Sequence, residues 1–315
     1  MLSITTDYAS VSTGTPEPYL RRIAEAGFSH VHWCHQWNTD FLYSDAEIDQ
    51  IARWMRELGL ALTDLHGSMG QEKNWGSARD YERLAGVDLV RNRIEMAARL
   101  GSDVVIMHLP SEPPEAEQKA PFWSRMRRSL DELDPVARSR RVRLAIENTG
   151  RDSFDAIERV FALYGPEVLG LCYDSGHGNV AGNGLDRLDR AKDRLIAVHL
   201  HDNDGSADQH KLVFDGTVDW PRLARILAAS PYSAGNVAQP PSAVSGRVGQ
   251  SAQAGAPVLH AKPVSMESNL GSYPKGSDEM EHLRKAFEAG TRLTGMIERD
   301  LCPFNLPQVL EPAGG

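Results

Sequence analysis

Ionisable side chains of the kinds that hold divalent cations and move protons recur at the ends of short apolar runs. Thr63-Asp64-Leu65-His66-Gly67 closes one run, Met107-His108-Leu109-Pro110 the next and Ala145-Ile146-Glu147-Asn148-Thr149 a third. Cys172-Tyr173-Asp174-Ser175-Gly176-His177-Gly178 and Val198-His199-Leu200-His201-Asp202 follow. Asp208-Gln209-His210 comes after these, and then Ser265-Met266-Glu267-Ser268. Singly, each has an ordinary explanation: a strand-end His is commonly hydrogen-bonded structure, and a strand-end Asp or Glu often caps the next helix. Together they predict a metal site. Several carboxylates aimed at one axis repel each other and resist ionisation unless cations compensate them. Mixed imidazole and carboxylate donors suit Zn²⁺, Mn²⁺, Co²⁺ or Fe²⁺ better than Ca²⁺. His199 and His201 have the same strand parity; His199 lies deeper and is the expected ligand, with His201 expected at the rim.

The elements that must position these residues are legible in the rhythm of the chain. Apolar runs at Leu2–Thr5, Phe28–Trp33, Leu60–Leu65, Val104–His108, Val142–Glu147, Val168–Tyr173, Leu195–Leu200 and Val264–Glu267 read as strands. They lack strict alternation, as parallel strands buried on both faces do. Helical periodicity fills the intervals near 16–26, 45–58, 80–100, 122–139, 153–163, 184–193 and 219–229, with a last helix near 278–297. In the second of these, Ile48, Ile51, Met55 and Leu58 recur at three- and four-residue steps, and Gly59 stands at the C-cap position. Eight strand–helix units predict an α/β fold of the closed (β/α)₈ TIM-barrel type. The rival is an open doubly wound sheet. No Gly-x-Gly-x-x-Gly follows the first strand, which weakens its dinucleotide-binding form. One domain over 1–315 is expected. A low-complexity insertion rich in Ala, Gly, Ser, Pro, Gln and Val, at about 233–257, is expected before the eighth strand.

With 315 residues, 41% of them hydrophobic, the chain can bury the core that such a barrel needs. Its net charge of −9 argues against a broad phosphate-binding surface and for a small-molecule partner. Cys34, Cys172 and Cys302 are isolated and odd in number, so no disulfide framework is expected. No apolar run approaches the length of a membrane span, and the N-terminus carries no leader-like pattern, so a cytoplasmic setting is expected.

These motifs, in this order, resemble the xylose isomerase-like TIM-barrel superfamily, which includes sugar and sugar-phosphate isomerases and epimerases and the endonuclease IV-type enzymes. In the isomerase and epimerase branch the resemblance implies one divalent metal (Mn, Co, Mg or Zn) held by Glu147, Asp174, His199 and Glu267. It further implies that the two glutamates pass the proton and that His177 touches substrate. The endonuclease IV pattern, a three-zinc cluster, can also be traced through His66, His108, Glu147, Asp174, His177, His199, Asp208, His210 and Glu267. The segment from Asp202 to Trp220 is closer to uncharacterised isomerase-like members, although Phe214-Asp215 replaces a glycine-rich turn usual there. Many members look like dimers or tetramers, which makes a homo-oligomer an expectation.

Three functions are therefore compared. A sugar isomerase or 3-epimerase would use Glu147 and Glu267 for proton transfer through an enediolate, with His66 and His177 contacting substrate. Trp33, His35 and Trp37 would then form a wall for the sugar face, unless they only pack the loop. An abasic-DNA hydrolase would need a basic grip, for which Arg125, Arg127 and Arg128 near Trp123 are the nearest candidates; a solvated helix face explains them more simply. A non-catalytic sugar- or metal-binding barrel is the third. The first is expected, with nucleic acid and membrane not expected as partners.

Overall fold

The structure, a computed structural model, describes residues 1–150, 153–233 and 262–301. In chain order the elements are β1 (Leu2–Thr5), α1 (Glu17–Glu25), β2 (His30–Trp33), α2 (Asp45–Leu58), β3 (Ala61–His66) and α3 (Asp80–Leu100). Then come β4 (Val104–His108), α4 (Ala116–Arg140), β5 (Arg143–Glu147), α5 (Ser153–Phe161), β6 (Leu169–Asp174), α6 (Ser175–Ala181) and α7 (Gly184–Ala191). β7 (Leu195–His199), α8 (Trp220–Ala228), β8 (Val264–Met266) and α9 (Glu279–Leu301) complete the order.

The strands run in the spatial order β7-β6-β5-β4-β3-β2-β1-β8, and each named neighbouring pair is parallel. The ring closes where Leu200 bridges Met266. There Leu200 N–H donates to Ser265 O at 2.9 Å, and Glu267 N–H donates to Leu200 O at 2.9 Å. Closure makes this a TIM barrel and brings the end of β8 beside the end of β7.

Two-residue alternation then sorts each strand between two cores. Val104, Ile106, Ala145, Cys172, Ile196 and Ala197 form one apolar cluster, while Val105, Met107, Leu144, Ile146, Leu171, Tyr173 and Val198 join the larger core with the helices. Continuing the parity of the small cluster toward the strand C-termini places His108, Glu147, Asp174 and His199 on the inward face. The helices follow from local chemistry. Ser44 and Glu47 form a reciprocal capping box at the start of α2; Ile48, Ile51 and Met55 face the core, and Gly59 ends the helix at φ 68°.

Several bounds differ from the sequence reading, and one helix was not expected. α4 begins at Ala116 rather than near 122, carrying Pro121 within it. α6 was not expected, since its sequence contains two glycines; it forms because Asp174 caps it, accepting from His177 N–H. β8 ends at Met266, one residue short. The expected insertion at about 233–257 lies outside the described residues apart from Ser233, as does Cys302. Among the described residues no helix is long and apolar enough to cross a membrane.

Candidate metal centre

Four strand ends supply the centre of the site. Glu147 closes β5, Asp174 closes β6, His199 closes β7 and Glu267 follows β8, and one donor atom from each lies within 4.8 Å of the other three. Register explains part of this: Asp174 pairs with His199 across β6 and β7. Asn148 fixes the next connection from the side. Its Nδ2 donates to Asp174 O at 2.9 Å and its Oδ1 accepts from Asp174 N–H at 2.8 Å.

His199 is the diagnostic residue. Its Nδ1 lies 3.2 Å from Glu147 Oε1 and 3.4 Å from Glu267 Oε2, yet neither buried ring nitrogen has a hydrogen-bond partner of good geometry. Buried polar atoms are seldom left in that condition. A nitrogen facing two carboxylate oxygens without bonding either fits a cation bound among all three. Its Nε2 faces Asp64 Oδ1 at 3.9 Å, beyond hydrogen-bonding range but close enough for charge attraction. The donor set therefore fits a divalent metal.

Around this centre sits an outer ring of imidazoles. His108 Nε2 lies 2.9 Å from Glu147 Oε2, and His66 Nε2 lies 3.7 Å from Glu267 Oε1. His177 Nε2 and His210 Nε2 both reach Asp208 Oδ2, at 3.2 and 3.1 Å. Their Nδ1 atoms are tied to the carbonyls of Asn148 and Glu267 at 2.8 Å each. A cavity of about 390 Å³ opens onto these groups, with Trp37 on its wall. The Trp37 ring packs 5.0 Å from that of His66 and 5.4 Å from that of His108.

The electrostatics follow from this crowding. Burial opposes ionisation of Glu147, but His199 and His108 outweigh it and hold the carboxyl well below its usual range. Burial likewise opposes Glu267, overcome by His199, His32 and His66. Burial lowers His66 to about 4, leaving a neutral imidazole able to ligate. His177 also loses hydration, yet Asp174, Asp208 and Glu147 push it up to about 11. Asp208 and Glu267 similarly help to push His210 up to about 10 against its burial.

Several expected positions move. His201 is not at the rim: it is 0% exposed, its Nε2 reaches Asp174 Oδ2 at 3.1 Å, and its ring stacks on His210 at 3.9 Å. Loop residues 208–210 fold back over it and bury it. Trp33 and His35 do not reach the cavity. Trp33 has the outward parity of β2, is 1% exposed and donates from Nε1 to Tyr43 OH at 3.1 Å. His35 spans Tyr43 OH at 2.9 Å and Gly14 O at 2.7 Å. They pack the loop after β2, which Arg93 pins by donating to Phe41 O at 2.9 Å while covering the Tyr43 ring at 4.5 Å. Trp37, on that same loop, is the aromatic residue that faces the site. His32, Cys34 and Asp64 were not selected from the sequence. All are buried at the floor, and the one signal for them is parity: 32 and 34 alternate together, as do 64 and 66.

Several known proteins are similar to this chain. An uncharacterised protein of Sinorhizobium fredii is 34% identical over 239 residues, which cover 68% of this chain and 77% of that protein. A probable endonuclease 4 of Mycobacterium leprae is 28% identical over 176 residues, covering 51% of this chain and 66% of the endonuclease. Among solved structures, L-ribulose 3-epimerase superposes with a TM-score of 0.72 at 15% identity, covering 98% of both chains. The family described as xylose isomerase-like TIM barrel matches residues 20–237, and the chain belongs to that family.

Proposed function

We propose that the protein is a divalent-metal-dependent isomerase or epimerase of a sugar or sugar phosphate, passing a proton between Glu147 and Glu267. The observation that carries this reading is the placement of two buried carboxylates on either side of His199 Nδ1, at 3.2 and 3.4 Å, beneath an open cavity. Glu147, Asp174, His199 and Glu267 would hold the cation. When bound, it would supply charge stabilisation for the oxygens of an enediolate.

The chain's own residues account for the rest. Glu147 and Glu267 stand at the ends of β5 and β8, three places apart round the ring, so they approach a substrate carbon from different sides. One withdraws the proton from the carbon beside the carbonyl, and the other delivers a proton to the opposite face or to the neighbouring carbon. The hydrogen bond from His108 Nε2 to Glu147 Oε2 fixes the conformer of that carboxylate. His177, held cationic by its carboxylate neighbours, donates to a substrate oxygen if that oxygen displaces Asp208 Oδ2 from its Nε2. Trp37 offers an apolar wall to the sugar face. The fold shared with the solved L-ribulose 3-epimerase supports the same reading.

The likeness to endonuclease 4 and the nine-residue ligand pattern keep phosphodiester hydrolysis as a second reading. Two of the three basic residues considered for it are otherwise engaged: on α4, Arg128 pairs with Asp80 at 3.2 Å and Arg127 with Asp131 at 3.6 Å. The test is solvent-deuterium incorporation into free and phosphorylated ketoses with Mn²⁺, Co²⁺, Mg²⁺ or Zn²⁺. Exchange is expected, and Glu147→Gln should reduce it by roughly 10²–10⁴-fold, the usual contribution of a general base. Cleavage of abasic duplex DNA without any exchange would reverse the assignment.

A further inference from the structure

Below the centre lies a second set of donor atoms, of which the proposed reaction uses only Glu267. His32 ends the inward face of β2, and Cys34 follows it two residues later on the same side. Cys34 Sγ is 2.9 Å from His32 Nε2. Glu267 Oε1 is 3.5 Å from that same nitrogen, 3.7 Å from His66 Nε2 and 4.0 Å from Cys34 Sγ. All four residues are buried, and their donor atoms lie within 4.8 Å of one another.

Two further observations point to a ligand. The remote nitrogen of His32 is bonded to the buried carboxylate of Asp64, the arrangement by which an outer carboxylate orients a metal-binding imidazole and sets its tautomer. That leaves His32 Nε2 to present its lone pair inward. In addition, His66 Nε2, the nitrogen that faces the cluster, lies 3.7 Å from Glu267 Oε1, too far for a hydrogen bond.

We infer that His32, Cys34, His66 and Glu267 form a second cation site, selective for a thiophilic ion such as Zn²⁺ over Mg²⁺ or Mn²⁺. One sulfur, two imidazole nitrogens and a carboxylate oxygen supply the four donors of a closed tetrahedral zinc site. Glu267 belongs to both sites: Oε2 faces His199, and Oε1 faces the sulfur cluster. Binding converts the Cys34 thiol to a thiolate and releases its proton to solvent. One consequence rests on the functional reading above: with Oε1 occupied, Glu267 has no free oxygen for proton transfer, so Zn²⁺ in this site opposes exchange.

The experiment is a Co²⁺ titration of the full-length metal-free protein, followed by near-ultraviolet thiolate-to-cobalt charge-transfer absorption and by metal content after desalting. Wild type is expected to show the absorption and to hold two ions through these two sites. Cys34→Ser should abolish the absorption and remove one ion. His32→Gln should weaken the ion giving that absorption by more than the roughly 100-fold that losing an outer-shell partner costs at most. Glu147→Gln and Cys172→Ser should keep the absorption, because neither residue belongs to the cluster. Cobalt binding by wild type without the absorption, or the same absorption in Cys34→Ser, overturns the assignment. None of these readouts depends on turnover, so failure of the isomerase reading would leave this result separately decided.

Discussion

Replacing Asp64 by Asn removes one buried negative charge while leaving the shape of the side chain almost unchanged. Asp64 holds the remote nitrogen of His32 and lies 3.9 Å from His199 Nε2, on the side of that ring away from Glu147 and Glu267. Its role is then to keep a proton on Nε2 of His199 and the lone pair of Nδ1 directed at the cation. In that state the ring is neutral, so Asp64 acts by orienting the ring and its N–H rather than through a full ion pair. Loss of an outer-shell partner of a metal-binding histidine costs roughly 10–100-fold in affinity, or about 1.4–2.8 kcal/mol. Mn²⁺ is the appropriate probe, since a hard ion reports on the oxygen-rich centre rather than on the sulfur cluster. Calorimetric titration of metal-free wild type and Asp64→Asn with Mn²⁺ should show the weaker affinity with an unchanged number of sites. Equal affinities, with the variant folded, would refute the orienting role assigned to Asp64.

Three other outcomes are expected. A β-carbon in Gly176→Ala would run into the His201 ring, so the variant should lose about 1–3 kcal/mol, as overpacked sites do, measured by chemical denaturation. Trp220→Phe deletes the Nε1–H that donates to buried Asp202 Oδ2 at 2.7 Å, and urea unfolding should show a loss of roughly 1.5–3 kcal/mol, typical of a hydrogen bond to a charged group. His282 is lowered from the ordinary 6.5, first by burial and also by the charge of Lys285. The unfolded chain therefore takes up this proton first, and the stability His282 contributes is complete above pH 6.5 and lost as pH falls toward its folded pKa. Equilibrium unfolding across that range should decline less steeply for His282→Gln than for wild type.

The barrel was legible because its signals are local and repeated. α2 shows this best: its bounds of 45–58 follow from one capping box, one apolar stripe and one C-terminal glycine. α6 was hidden for the opposite reason. Gly176 and Gly178 lower its helix propensity, and its start depends on Asp174, which the sequence presents as a metal ligand rather than a cap. In the structure the same residue serves the helix through Oδ1 and the site through Oδ2. The strand-end candidates were legible from their position after apolar runs. His32 and Asp64 were not, since each lies among apolar neighbours before the end of its strand, and their pairing spans 32 residues and two strands. Trp33 and Trp37 illustrate the same limit: both are aromatic residues near one loop, and the direction each faces is decided by parity and by Arg93, not by residue type.

The candidate ligands differ in charge in a way that bears on the substrate. Glu147, Asp174 and Glu267 bring three carboxylates to one imidazole, a negative charge that a divalent ion would reduce and that the cationic His177 and His210 beside Asp208 offset further. A phosphorylated sugar would have to keep its phosphate away from these carboxylates. The adjoining cavity of about 620 Å³, which meets the site at Glu147, is lined by Lys119 and Arg159. Both already face Glu112, at 2.8 and 3.7 Å, so a phosphate there must compete with a carboxylate for its only two flanking cations among the described residues. Within the sugar isomerase reading, that competition favours an unphosphorylated ketose over its phosphate ester.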